Sequence, residues 1–130
     1  MSYRVVNATE HRWEERPSIG GGEPRRSSNL TSAAGLTESR ARLWRLPPHS
    51  RGRRHAEGGQ EEVFVVISGT LTMLLGDPPE RVDLEPSSIV AVEPGTGIQL
   101  RNQSDDEVMV FAYGAPPVTE GSEFLDDVEL

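Results

Sequence analysis

The 130-residue sequence contains no cysteine. Neither a disulfide framework nor a thiolate metal centre can form, and any bound ion must rely on nitrogen and oxygen ligands. Long apolar runs are missing too. Nothing approaches the roughly 18 consecutive residues of a membrane-spanning helix, and the opening MSYRVVNATEHRWEERP lacks the apolar core of a signal peptide. The expectation is a soluble, cytoplasmic protein without a membrane partner, in a reducing compartment that the lack of cysteine permits. Positive charge is in short supply, with 13 basic against 21 acidic residues and a formal net charge of -8. Non-specific binding of nucleic acid, which needs cations to neutralise phosphates, is therefore not expected. Aromatic residues make up only 5% of the chain, while 13 glycines and 10 prolines indicate many turns and few long helices.

What is present is a succession of short β-type segments divided by turn signals: RARLWRL (40–46), EVFVVIS (62–68), TLTMLLG (70–76), ERVDLE (80–85), SIVAVE (88–93), GIQLRN (97–102) and VMVFAYG (108–114). Strands spaced about every 8 to 12 residues and joined by tight turns form an all-β sandwich or closed barrel. No connection is long enough for a crossover helix, so the pairing should be antiparallel. SAAGLTESRA (32–41) is the best helix candidate, but it is short and contains Gly35, so a helix is not expected there. Three regions follow: an arm over residues 1–29, rich in turn formers; the barrel over 30–117; and an acidic tail over 118–130. Phe124, Leu125, Val128 and Leu130 lie at near-helical spacing in that tail, which fits a docked short element or a disordered end.

The stretch RRHAEGGQEEVFVVISG (53–69) carries the most chemistry. On a strand, Arg53, His55 and Glu57 share one face, and Arg54 and Ala56 share the other. A hairpin through GGQE would bring Glu62 opposite His55 and Glu57. One imidazole and two carboxylates make a mixed set suited to iron, manganese, nickel or zinc. The plain alternative is that a single histidine among carboxylates in an acidic protein is a surface residue.

These residues also carry a resemblance. The run from Leu46 to Gly114 resembles the cupin family, whose first motif has a His-x-His pair, three or four residues, a glutamate, and a glycine seven positions later. This sequence supplies His55, Ala56, Glu57, four residues, Glu62 and then Gly69, with glutamate in place of the second histidine. His49 stands where a small residue is expected six places before the first histidine and reads as an exposed turn residue. The second motif aligns on Gly95 and Asn102 over EPSSIVAVEPGTGIQLRN, placing Ser87 in its glycine position, Glu93 in its proline position and Ile98 in its histidine position. An aliphatic side chain coordinates nothing, while a bulge at Gly97 would turn Gln99 inward instead.

The resemblance implies an all-β double-stranded β-helix, a jelly-roll cupin barrel of antiparallel strands with a pocket between its sheets. The family's three-histidine, one-glutamate site is reduced to His55, Glu57 and Glu62 as the only metal candidates. Without an ion these residues and Arg53 would form a polar network. The expected pocket lining is Arg53, His55, Glu57, Glu62, Ile98, Gln99 and Tyr113, with Arg53 contacting an anionic group and His55 making one hydrogen bond.

Other features read as structural. GGG (20–22) follows no strand and precedes no Lys-Ser/Thr, which excludes a phosphate loop. Ser87 and Ser88 have no histidine suitably placed for nucleophilic catalysis. RGRR (51–54) reads as a solvated turn with one inward arginine, and Trp44, Phe64, Met73, Phe111 and Tyr113 read as core or pocket wall. Three functional classes follow. The leading one is a cupin that binds a small organic ligand without an efficient metal centre; the second is a metal-dependent oxygenase or isomerase using His55, Glu57 and Glu62. The third is a non-catalytic dimeric interaction module whose arm exchanges between subunits. A homodimer is the expected assembly in each case.

Overall fold

In the computed structural model, residues 2–118 and 121–130 are described. After a single 3-10 turn at Ala8–Glu10 the strands are β1 (Glu14–Arg16), β2 (Arg25–Asn29), β3 (Arg40–Leu46), β4 (His55–Glu57), β5 (Glu61–Ser68) and β6 (Leu71–Leu75). They continue as β7 (Glu80–Leu84), β8 (Ile89–Val92), β9 (Gly97–Arg101), β10 (Val108–Ala115) and β11 (Ser122–Phe124), with one helical turn, α1 (Leu30–Ala33), after β2. One sheet runs β1-β2-β3-β10-β5-β8 and the other β11-β4-β9-β6-β7, with antiparallel pairing throughout. The two sheets face each other as the expected jelly roll. Among the described residues no helix is long and apolar enough to cross a membrane.

The core is drawn from both sheets: Leu46, Phe64, Val66, Val92, Val108 and Val110 from the larger, and Leu71, Met73 and Ile98 from the smaller. Its composition changes along the barrel, because β10 sits between β3 and β5 in a fixed register. Arg40, Gly114 and Glu62 lie side by side, then Arg42, Ala112 and Phe64, then Trp44, Val110 and Val66, and finally Val108 beside Leu46. Inward positions therefore run from charged and small at one end to aliphatic at the other. The aliphatic end is packed; the charged end is open.

Part of the N-terminal arm pairs with the body. β2 pairs with β3, from Arg26 opposite Arg45 to Asn29 opposite Arg42, and β1 pairs with β2. The sequence hides this because Arg25–Asn29 is wholly polar, so no apolar alternation marks it as a strand. Asn29 caps α1 by accepting from the Thr31 N–H at 3.1 Å. The tail adds a strand rather than a helical element: β11 pairs with the edge of β4. Residues 119 and 120 of that tail lie outside the described residues. The expected hairpin between β4 and β5 does not form, since the two strands belong to opposite sheets.

Among the described residues two non-glycine residues hold positive φ, His49 at 62° and Ser87 at 75°. Both occupy motif positions where a small residue or glycine is expected, which shows that the backbone bend persists although the residue has changed. Gly69, between β5 and β6, has φ +77°, and a Cβ there would lie 2.6 Å from the Glu107 carbonyl oxygen. Strain and backbone collision act together at this position. Gly69→Ala is expected to lower unfolding free energy by about 2 kcal/mol or more, as read by urea denaturation; an unchanged midpoint would show that the turn relaxes freely.

Candidate functional site

The open end of the barrel encloses a cavity of about 340 Å³. From the larger sheet it receives Arg40, Arg42 and Trp44 on β3, Glu62 and Phe64 on β5, and Ala112 and Gly114 on β10; β4 and β9 of the smaller sheet bring His55, Glu57, Ile98 and Leu100. Arg25, Arg53, Gln60, Ser122 and Phe124 complete the rim. The lining is amphipathic, with aromatic and aliphatic walls and a few convergent polar groups, as small-molecule sites generally are.

Four guanidinium groups reach this cavity. Arg25 lies 4.9 Å and Arg42 5.8 Å from the Trp44 ring centroid, while Arg53 stands 3.7 Å from that of Phe124. Arg25 donates to the Pro17 carbonyl, Arg40 to the Val118 carbonyl at 2.9 Å, and Arg42 to the Ser27 hydroxyl at 2.9 Å. Among the described residues none of these four arginines forms an ion pair, whereas Arg16, Arg45, Arg51, Arg54, Arg81 and Arg101 all do. Burial, and then the positive charge of Arg16, lower the guanidinium pKa of both Arg25 and Arg42. Among the described residues these partly desolvated cations share the cavity with Glu57 and Glu62 but form no close ion pair.

The acid–base groups lie beneath. His55 Nδ1 is 3.0 Å from the Arg53 carbonyl oxygen, which accepts only, so Nδ1 carries a proton and Nε2 is left facing the cavity. Nε2 is 3.6 Å from Glu57 Oε1, and that oxygen accepts from the Ser122 hydroxyl at 3.4 Å. Glu62 comes from the opposite sheet. Burial, with the like charge of Glu57, pushes its carboxyl up to about 7, and Arg40 opposes the rise.

Of the expected lining residues, all but Gln99 lie in the cavity or at its rim. Ile98 faces inward opposite His55, and β9 continues its pairing with β6 without a bulge. Gln99 therefore faces away, fully buried on the outer side, where its amide donates to the Gly52 carbonyl and to Asp127 Oδ1, each at 2.8 Å. Tyr113 borders the rim, but its ring stacks with that of Phe111 at 6.5 Å on the face of β10 opposite Val110 and Ala112. His49 is exposed and contacts Asp105 at 2.9 Å. Asn102, the final residue of the second motif, is buried in a turn, donating to the carbonyls of Leu46 and Asp106.

Arg25, Arg40, Arg42, Ser122 and Phe124 were not anticipated in the cavity. In RARLWRL alternation alone does not say which face is inner; the structure sets Arg40, Arg42 and Trp44 at the cavity, while Ala41 and Leu43 are buried. For Ser122 and Phe124 the sequence offers no signal, since only the pairing of β11 with β4 brings them to the site.

Residues 42–113, more than half of the chain, match the family of the cupin domain. The chain belongs to the cupin family. No curated protein matches it. Among solved structures, this cupin is similar to a sugar phosphate isomerase of the cupin superfamily from Silicibacter pomeroyi, at 23% identity and TM-score 0.77 over 95% of this chain and 83% of the other. It is also similar to a predicted oxalate decarboxylase from Thermotoga maritima, at 17% identity and TM-score 0.76 over 87% and 99% of the two chains. The polyketide cyclase RemF from Streptomyces resistomycificus gives 12% identity and TM-score 0.80 over 98% and 89%. These likenesses establish the shared double-stranded β-helix.

Cupins often hold a divalent metal at the position of His55 and Glu62. In this cupin the donor set does not fit that role. Among the described residues no three His, Cys, Asp or Glu side chains gather into a group able to hold an ion. Ile98 replaces one ligand with an alkyl group that is 1% exposed.

The raised carboxyl of Glu62 links stability to pH. Its proton is bound more tightly in the folded protein than in the unfolded chain, where the ordinary value of 4.5 applies, so the stability it confers at low pH is lost as pH rises through about 7. Glu62→Gln is expected to raise the melting temperature by about 3 °C or more at pH 8, and much less at about pH 5. Thermal scans across that range check this; an equal gain at both ends would show that ionisation is not the cause.

Proposed function

We propose that this cupin binds a small oxygen-rich organic anion in its barrel, without a resident metal ion. One observation carries the reading: four arginines line the cavity with no ion-pair partner among the described residues. Against them stand two carboxylates, one of them half-protonated near neutrality. In a chain with a net charge of -8, such a concentration of unpaired cations favours an anionic ligand. Arg53 and Arg42 would take the anionic group, and His55 would make one hydrogen bond to the ligand. Trp44, Phe64 and Phe124 offer apolar surface to the carbon frame. Sugar phosphates and oxalate, the substrates named for two of the similar structures, are small anions of this kind.

Isothermal titration with glucose 6-phosphate, oxalate and neutral glucose tests the reading. An anion is expected to bind saturably and glucose not to, and Arg42→Ala and Arg53→Ala are each expected to weaken binding about tenfold, or about 1.4 kcal/mol. Equal binding of glucose, or no binding of either anion, overturns it. Elemental analysis of protein prepared without chelator or metal-affinity resin is expected to find iron, manganese, nickel and zinc far below one per chain. Near-stoichiometric metal that disappears in His55→Ala would replace this reading with a metal-dependent oxygenase or isomerase.

A further inference from the structure

One side of the cavity is built from residues outside both sequence motifs. β11 adds to the edge of β4, setting Ser122 opposite Glu57 and Phe124 opposite His55, and both side chains line the cavity. All three β11 residues are exposed, Phe124 by 59%. Apolar burial therefore contributes little to holding this strand in place.

The anchoring comes from the residues that follow. The Leu125 N–H donates to the Arg54 carbonyl at 2.9 Å, and Arg54 Nη1 donates to the Asp126 carbonyl at 3.0 Å. Asp127 Oδ1 accepts from Gln99 Nε2 at 2.8 Å and Arg101 Nη2 at 3.3 Å, while Oδ2 pairs with Arg51 Nη2 at 3.0 Å. Arg101 also donates to the Val128 carbonyl. Gln99 and Arg101 are 0% and 3% exposed, on the face of β9 opposite Ile98 and Leu100. Burial of the Asp127 carboxyl works to raise its pKa, but the Gln99 hydrogen bond with Arg51 and Arg101 holds it below the ordinary value, so it stays ionised at neutral pH.

These contacts are polar, and water replaces such contacts at small net cost. A short, exposed strand held by a few main-chain hydrogen bonds and by the Asp127 carboxylate just beyond it is thus able to detach while the barrel remains folded. We propose that Ser122–Phe124 is a detachable wall of the ligand cavity and that Asp127 is the positioning residue that latches it. Latched, Phe124 stands beside the Arg53 guanidinium and closes the cavity laterally; released, it exposes the edge of β4 and opens the cavity to water. For the ligand class the proposal rests on the anion reading above. Docking of the tail and occupation of the cavity then favour one another reciprocally.

The test uses the full chain in a Trp13→Phe background, in which Trp44 alone reports on the cavity. In Asp127→Ala, and in Arg51→Ala as a second variant that removes a partially exposed side chain, exchange of the Leu125 and Gly58 amides is expected to quicken at least tenfold. Gly58 serves as a reporter because its N–H donates to the Gly121 carbonyl. Acrylamide quenching of Trp44 should at least double, while the β6 amides of Leu71–Leu75 keep their protection. Unchanged tail exchange and quenching in the folded variants overturn the proposal. Equal acceleration in β6 also overturns it, because the anchor would then serve the whole fold. A third arm measures glucose 6-phosphate, whose affinity should fall at least fivefold in Asp127→Ala; if the unaltered chain does not bind it, the choice of anion fails, and exchange and quenching still decide the wall.

Discussion

The register in which β10 pairs with β3 on one side and β5 on the other governs the cavity. It aligns Arg40 with Gly114 and Glu62, and Arg42 with Ala112 and Phe64. The small residues on β10 leave the room that the long arginine side chains and the carboxyl of Glu62 require. Gly114 has no spare volume of its own, since a Cβ there would lie 2.5 Å from the Gln60 side chain. A slip of one residue would exchange the faces of a whole strand, sending Arg40 and Arg42 outward and Ala41 and Leu43 into the cavity. The charged end and the packed end of the barrel thus follow from a single alignment of main-chain hydrogen bonds.

Every basic side chain outside the histidines is an arginine; the chain has no lysine. This suits what the fold asks of these residues. Arg25 and Arg42 meet Trp44, Arg53 meets Phe124, and Arg54 and Arg101 are almost wholly buried while satisfying carbonyl and carboxylate oxygens. A planar, weakly hydrated guanidinium meets these demands, whereas a compact, strongly hydrated ammonium does not. Two populations result: arginines paired with acidic partners, which hold loops and the tail, and cavity arginines with no ion pair among the described residues.

The cupin motifs persist here as backbone geometry more than as coordination chemistry. Gly69 keeps its left-handed turn, and His49 and Ser87 adopt positive φ where the motif has small residues. His55 keeps the hydrogen bond that orients its imidazole. Glu57 and Ile98 occupy the other histidine positions, setting a carboxylate and an alkyl wall beside His55. Glu62 sits in a partly buried site beside a second carboxylate, and its raised pKa is the physical consequence.

Apolar alternation and turn residues in the sequence were enough to locate β3 and β5 through β10, because period-two burial and positive-φ glycines leave local marks. The resemblance, and not the spacing, whose hairpin does not form, was what put His55, Glu57 and Glu62 at one cavity. The sequence could not identify which face of RARLWRL is internal, because both of its faces are buried and local alternation is the same either way. Nor could it reveal β2, whose residues are all polar, or β11, whose place depends on pairing with a strand more than sixty residues earlier. Tertiary structure decided that the arginines face a cavity, that Gln99 faces the tail, and that the tail walls the site. Each of these depends on contacts between distant segments, and such contacts leave no periodic trace in the residues that make them.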